Sequence, residues 1–335
     1  MLHTLLISAL IYTNQVQPVH SGAQTAQNDT AAPIQEIIKP IQQVIQSIQQ
    51  VVDQTIQKVE PTEMRKKKNN TALQRLVDDM LHADEDKPYS KIDWGKQMNG
   101  TNDESPNPLI AEVDERIFEK AQYQALIQMY SENLFTPNVC DEEQQMQGVK
   151  MNAVQNVFDT FTKTPMFNIA FTYLQNHGIA SDWNSFRQQL WNLWMGTYSR
   201  CHQTVQGSSG FEHIYCGEWK GREVDGQHDW VKYYLLQKAG QINYHGYQRH
   251  AGASLFVQDL IGSFQYTWND HLKKLGGFYL GTSPAFDFSL FTVCALTEPG
   301  SNRCRFKIDD YSLSVTTYTQ TCDGGICLAT AYPVN

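Results

Sequence analysis

The sequence has little positive charge. It carries 26 Lys and Arg against 35 Asp and Glu, a net charge of −9. That balance excludes a protein that coats nucleic acid with a general basic surface. Long apolar runs are also missing. Beyond Leu5–Tyr12, no stretch approaches the ~20 apolar residues a membrane-crossing helix needs, so no membrane partner is expected. Compact zinc spacing of the His-Glu-x-x-His type does not occur. Gly207-Ser208-Ser209-Gly210 lacks the Gly-x-Ser-x-Gly spacing of a hydrolase nucleophile elbow.

Cysteine is sparse and odd in number, at seven. Cys294 and Cys304 bracket a turn at Glu298-Pro299-Gly300-Ser301-Asn302, and Cys322 and Cys327 bracket Asp323-Gly324-Gly325. Each pair is placed for a local disulfide, which argues for an oxidising compartment. Cys140, Cys201 and Cys216 leave one thiol over, and spacing does not say which. Aromatics are plentiful, with 7 Trp, 16 Tyr and 15 Phe, so most of the chain can bury a packed core.

Residues 1–23 read as a secretory signal: an apolar run, then small residues ending near Ala23. The segment before that run has no Lys or Arg, and the alternative is a frayed apolar terminus. Sequons at Asn28, Asn69 and Asn99 agree with a secreted, extracellular protein. Residues 24–69 are low in complexity. Ile34, Ile37, Ile41, Val44, Ile48 and Val51 recur at spacings of three and four on a Gln-rich background. This heptad-like stripe over 34–59 implies either self-association or a lone amphipathic helix. Arg65-Lys66-Lys67-Lys68 is read as a solvated linker.

A single domain is expected over 70–335. Its first part, 70–200, reads as mostly helical, with apolar stripes at Leu73–Leu81, Ile117–Leu126, Phe158–Tyr173 and Asp182–Met195. From Cys201 to 335, glycines become frequent and period-2 alternation appears, as in Phe264-Tyr266-Trp268. Ile326, Leu328, Thr330 and Tyr332 are expected on one face of a final strand. One helix interrupts, from Trp230 to a stop before Gly240. The fold class is therefore α+β, a helical N-terminal half followed by an antiparallel β-sheet catalytic half.

Chemistry concentrates between residues 201 and 271, which hold six of the ten histidines. His213 and His228 stand fifteen apart on a Gly-rich framework, with Glu212 and Glu218 beside the first. Two histidines so placed could be an acid/base pair, a metal site or ordinary polar residues. His228 opens the helix through Trp230, whose positive dipole end lowers an imidazolium pKa, as a general base near neutral pH requires. If 211–218 is one straight strand, Glu212 and Glu218 lie ~20 Å apart and share no ion.

An ordered series of motifs carries a resemblance. It comprises Ser-Ser-Gly-Phe-Glu-His-Ile-Tyr at 208–215, Gly-Glu at 217–218, His-Asp-Trp at 228–230 and Asn-Tyr-His-Gly-Tyr at 243–247. Phe-Gln-Tyr-Thr-Trp at 264–268, Lys273, Gly-Thr-Ser-Pro-Ala-Phe-Asp at 281–287 and Ala-Thr-Ala-Tyr-Pro at 329–333 complete it. The series resembles the EndoU (XendoU) family of poly(U)-specific endoribonucleases. The resemblance implies cleavage of single-stranded, U-containing RNA, leaving 2′,3′-cyclic phosphate and 5′-hydroxyl ends. His213, His228 and Lys273 match the family's catalytic triad, and Thr330 and Tyr332 its substrate-binding pair. Glu212 and Glu218 match acidic residues that either bind metal or shape the site. The implied cofactor is a divalent cation, Mn²⁺ or Ca²⁺, although transesterification itself requires none. The spacing to Gly276 and Gly281 favours Lys273 over Lys274.

This chemistry needs a base for the ribose 2′-hydroxyl, an acid for the leaving 5′-oxygen and a cation for the charge on phosphorus. His228, His213 and Lys273 take those roles in that order, with the two histidines open to exchange. The rival expectation is a secreted RNA-binding or signalling protein that keeps the fold and acts by binding.

Overall fold

The computed structural model describes residues 72–335, apart from 99, 101, 202–204, 252–259, 310 and 323. The expected signal segment 1–23, the Ile/Gln-rich 24–69, its self-associating stripe 34–59 and the three sequon asparagines lie outside the described residues.

The helical part opens with α1 (Ala72–Ala83), which buries Leu76, Val77 and Met80 on one face. A short antiparallel pair follows, β1 (Ser90–Ile92) and β2 (Ile110–Val113). A 3₁₀ turn (Glu115–Glu119) leads into α2 (Ala121–Ser131). The apolar stretch expected as one helix over Phe158–Tyr173 is two, α3 (Gly148–Thr162) and α4 (Pro165–Asn176). Pro165 starts α4 at a position where its missing N–H costs nothing, and the Thr164 hydroxyl caps Phe167 N. Asp182 caps α5 (Trp183–Met195) in the same way.

Beyond α5 come two short strands, β3 (Thr197–Tyr198) and β4 (Ser208–Ser209), which pair with each other. A five-stranded sheet has the order β5 (Trp219–Lys220), β6 (Glu223–Val224), β9 (His271–Tyr279), β8 (Ile261–Trp268), β7 (Ile242–Ala251). It is antiparallel except where β6 meets β9. Helix α6 (Trp230–Lys238) precedes β7 and stops at Ala239 before Gly240, as expected. A three-stranded antiparallel sheet closes the chain: β10 (Gly300–Ile308), β11 (Tyr311–Cys322) and β12 (Gly325–Val334).

Sequence reading missed one helix, α7 (Pro284–Thr297), which is buried from Pro284 to Ala295. It is apolar on every side and so shows no amphipathic stripe. Its legible signal is its start, where the Ser283 hydroxyl accepts from Phe286 N and Pro284 occupies the first turn. α7 packs against α3, α4 and the three-stranded sheet, and so joins the helical part to β10–β12 in one core. A second core lies on the five-stranded sheet, around Trp230, Tyr233, Phe264, Tyr266 and Phe278.

The expected face of the last strand also needs correction. The register of β11 against β12 shifts between Tyr318↔Thr330 and Thr319↔Leu328. Ala329 is the extra residue of a bulge, which reverses the in/out alternation. Thr330 and Tyr332 therefore share a face, and Leu328 points to the other side, fully buried.

The disulfides are Cys140–Cys201, Cys294–Cys304 and Cys322–Cys327. The leftover thiol is Cys216, which is buried.

Candidate active site

His213 does not lie on a strand. Phe211, Ile214 and Tyr215 sit at i, i+3 and i+4, all buried, and that spacing winds Gly210–Cys216 into helical turns. Gly217 ends them at φ +77°, a conformation glycine adopts without strain. The reversal folds Glu218 back, so that its Oε1 meets His213 Nδ1 at 2.6 Å. The extended geometry that would have kept the glutamates apart is therefore absent.

Close backbone approach brings the two histidines together. Gln227 N donates to His213 O (2.6 Å) and His228 N to Ile214 O (2.7 Å). A Cβ at Gly226 would overlap the His213 carbonyl, so only glycine allows this contact. The imidazole centroids end 5.5 Å apart. His228 Nδ1 donates to the Gly277 carbonyl at 2.9 Å. A carbonyl only accepts, so Nδ1 carries the proton and Nε2 of the neutral ring holds a lone pair. Asp229, the next residue, caps α6 through Lys232 N. The His228 pKa is well below the ordinary value, as expected, but burial is the largest cause, followed by Lys273 and His213.

Lys273 is set by the hairpin between β8 and β9. Asn269 and Asp270 both take positive φ in a two-residue turn, which puts Lys273 opposite Tyr266. Its Nζ donates to Asp225 O (2.6 Å) and Gly226 O (2.9 Å), leaving its third proton for another acceptor. Burial lowers its pKa to about 8. Lys274 instead pairs with Glu223 at the surface.

His213, His228, Lys273, Thr330 and Tyr332 line one cavity of about 420 Å³. Tyr332 stacks on His228 at 5.3 Å and 24°. The Thr330 Oγ1 is shielded from solvent and has no hydrogen-bond partner among the described residues. The two glutamates part company here. Glu218 reaches His213, whereas Glu212 is buried among Glu143, Glu218 and Lys150. Desolvation and those neighbouring carboxylates push Glu212 well up.

Arg200, which the sequence reading missed, ties the parts together. Its Nε lies 2.8 Å from Glu218 Oε1 and 2.9 Å from Ser208 Oγ. Its NH2 bonds Tyr198 Oη at 2.6 Å and also donates to the carbonyl of Ala329, the bulge residue before Thr330. No motif marks Arg200; the one hint is its place next to Cys201, where Cys140–Cys201 pins the chain. Burial raises Glu218 to about 7, although Arg200 and Lys273 oppose that rise. His213 is held well below its usual value by burial, Arg200 and Lys273.

Among the described residues one group of side chains converges closely enough to hold a metal: His213, Glu218 and Asp225, with donor atoms within 4.8 Å. It does not suit a divalent cation. Glu218 Oε1 is already shared by Arg200 and His213, and Asp225 faces Arg200 at 3.7 Å beside the Lys273 ammonium. Two protein cations occupy the charge a metal would neutralise.

The family model for endoribonuclease XendoU matches residues 72–333. The chain belongs to this family. It is 31% identical over 279 residues to uridylate-specific endoribonuclease B of Danio rerio, covering 78% of this chain and 95% of that protein. It is 31% identical over 241 residues to the Mus musculus uridylate-specific endoribonuclease, covering 70% of this chain and 56% of that relative's length. The solved structure of XendoU, a splicing-independent snoRNA-processing endoribonuclease, aligns with a TM-score of 0.65 at 27% identity. The alignment covers 79% of this chain and 97% of that one. The family's members are endoribonucleases, and the α+β architecture is shared with the solved one.

Proposed function

We propose that this chain is a secreted endoribonuclease that cleaves single-stranded RNA after uridylates by transesterification. The observation that carries the reading is the convergence of His213, His228 and Lys273 on one cavity that Thr330 and Tyr332 also line. His228 Nε2 takes the proton of the ribose 2′-hydroxyl. The 2′-oxygen attacks phosphorus, the bond to the 5′-oxygen breaks, and His213 Nε2 protonates the leaving oxygen. The products are a 2′,3′-cyclic phosphate and a 5′-hydroxyl. The Lys273 ammonium offsets charge on the phosphoryl oxygens.

The hydrogen bonds support this division of roles. A carbonyl on Nδ1 keeps His228 neutral and basic, while Glu218, raised by burial to about 7, can hold the shared proton at Nδ1 of His213 as a carboxylic acid and leave the ring N–H on Nε2 as the donor. Thr330 Oγ1 is an unused hydrogen-bonding group for a pyrimidine edge, and Tyr332 an aromatic plane. No step runs through a metal. Mn²⁺ or Ca²⁺, where it stimulates, acts on RNA binding or folding. Three disulfides support an oxidising, extracellular setting.

The test is an oligonucleotide with a single ribouridine in a deoxy background, incubated with Mn²⁺, Ca²⁺ or EDTA beside Lys273→Ala. Cleavage at the ribouridine by the parent protein and its loss in Lys273→Ala are expected. No cleavage under any condition would sink the enzymatic reading in favour of binding alone, and cleavage surviving His228→Ala would sink the mechanism.

A further inference from the structure

The β11–β12 hairpin runs in two registers. Along its base Tyr318 pairs with Thr330; towards its tip Thr319 pairs with Leu328, Gln320 with Cys327 and Cys322 with Gly325. Two residues therefore separate the strands at the tip. Had the first register continued without a bulge, Thr319 would face Ala329 and Cys322 would face Ile326. Asp323-Gly324-Gly325 would then form a three-residue loop, a common hairpin length to which glycine is suited. That hairpin is the one plain alternation describes, with Ile326, Leu328, Thr330 and Tyr332 on one face. The cysteines exclude it. In that register Cys322 and Cys327 lie on opposite faces of the ribbon, where no bridge can join them. In the register observed they share a face and are bonded.

We propose that Cys322–Cys327 is a register lock: it holds the two-residue loop at the tip, forces the extra residue out at Ala329, and so positions the strand that carries Thr330 and Tyr332. The inference rests on the functional reading above and deepens it. Left out of the ladder, Ala329 offers its carbonyl to Tyr198 Oη at 2.8 Å and to the Arg200 guanidinium. Leu328 stays fully buried in the core. Without the lock the bulge-free hairpin becomes available. There Leu328 turns onto the face of Thr330 and Tyr332, and Ala329, drawn into the ladder, leaves the guanidinium. Both changes reach the cavity. The bridge spans a sequence separation of 5, against 61 for Cys140–Cys201. It therefore constrains the unfolded chain far less, and what it contributes is local. Cys322 and Cys327 are positioning residues, three or more positions from the groups that touch the substrate.

The test removes the lock and then moves it. Cys322→Ser with Cys327→Ser removes it. Cys327→Ser with Ile326→Cys moves it, because Cys322 and position 326 face each other only in the bulge-free register; Ile326 is 59% exposed, so its replacement disturbs no core. Peptide mass spectrometry confirms the shifted bridge. Tm is measured beside kcat and KM on the single-ribouridine oligonucleotide, and beside Kd for an uncleavable deoxyuridine version by fluorescence anisotropy. Removing the lock raises KM and Kd about tenfold, within the range of one bound base, with a smaller change in kcat and little loss of Tm. The shifted bridge restores Tm and deepens the loss in KM and Kd, which a bridge acting only as a staple does not do. Parental KM and Kd in the double serine variant, or in the shifted variant with its bridge formed, overturn the lock. So does a double serine variant that no longer folds, since the bridge is then a staple of the whole fold. The expected contrast in Kd without cleavage by the parent protein overturns the enzymatic reading and leaves the lock standing.

Discussion

Glu218 and His213 meet through one carboxylate oxygen, Oε1, 2.6 Å from the ring Nδ1, and the same oxygen lies 2.8 Å from Arg200 Nε. The relay Arg200–Glu218–His213 is fully out of bulk solvent at its centre, where the Glu218 side chain has no exposure. Through the Ala329 carbonyl, Arg200 also holds the bulge that aims Thr330. The acid/base imidazole and the base-reading strand are thus set by one guanidinium.

Arg200 is a positioning residue, and its removal has a signature beyond lost rate. Arg200 opposes the rise in the Glu218 pKa, so Arg200→Met moves that pKa above its value of about 7. The pH limb belonging to the His213–Glu218 pair then shifts to higher pH. Glu218→Gln removes the limb and lowers kcat by roughly 10²–10⁴, the contribution of one general acid or base. Arg200→Lys keeps the charge but loses the planar fork, and recovers only part of the rate. A pH–rate profile of the three variants checks this; unshifted limbs would reduce Arg200 to a packing role.

Lys273 adds an alkaline limb of its own, above that of the His213–Glu218 pair. Its pKa is lowered to about 8, so the ammonium is present below pH 8 and lost above it. kcat therefore falls as pH rises through about 8. Lys273→Arg, whose guanidinium does not deprotonate in this range, is slower at neutral pH but loses that alkaline limb. Initial rates on the ribouridine substrate from pH 6 to 10 decide the point.

Thr330 and Tyr332 divide base recognition between them. Thr330→Val replaces an unpartnered hydroxyl with a methyl, and raises KM for uridylate with little change in kcat. Tyr332→Phe keeps the stack on His228 and stays near parental activity, whereas Tyr332→Ala loses ~1–3 kcal/mol of base stacking. Steady-state kinetics on one substrate separate the two effects.

Much of this site was legible in the sequence. Seven motifs and Lys273 in order pointed to His213, His228, Lys273, Thr330 and Tyr332, and period-2 alternation marked the strand that carries the last two. The rest failed for physical reasons. Phe211-Glu212-His213-Ile214-Tyr215 is short enough to read as strand or helix, and only the buried set Phe211, Ile214 and Tyr215 decides for helix. Ala329 leaves no mark of a bulge, so Leu328 was placed on the wrong face. Helix α7 is apolar all round and has no period to find. Arg200 acts through contacts to residues 18 and 129 positions away, which no local pattern encodes.

The Cys140–Cys201 bridge closes a loop of 61 residues next to Arg200. In the chain-entropy model it contributes about 4 kcal/mol. Cys140→Ser with Cys201→Ser is expected to lower Tm by several degrees and to reduce kcat, because Arg200 loses its neighbouring anchor. Breaking Cys294–Cys304, ten residues apart and with neither cysteine lining the cavity, lowers Tm without that loss of kcat. Calorimetry and initial rates on the two double variants test the difference.

The central claim is that the protein's own imidazoles and ammonium carry out the transesterification. The most direct measurement is mass spectrometry of the products from the single-ribouridine oligonucleotide, made with Mn²⁺ and again with EDTA. The account predicts a 2′,3′-cyclic phosphate on the 5′ fragment and a 5′-hydroxyl on the 3′ fragment in both conditions, with metal changing only the rate. A 3′-hydroxyl and a 5′-phosphate, the ends left by a water attack that bypasses the 2′-oxygen, would contradict it.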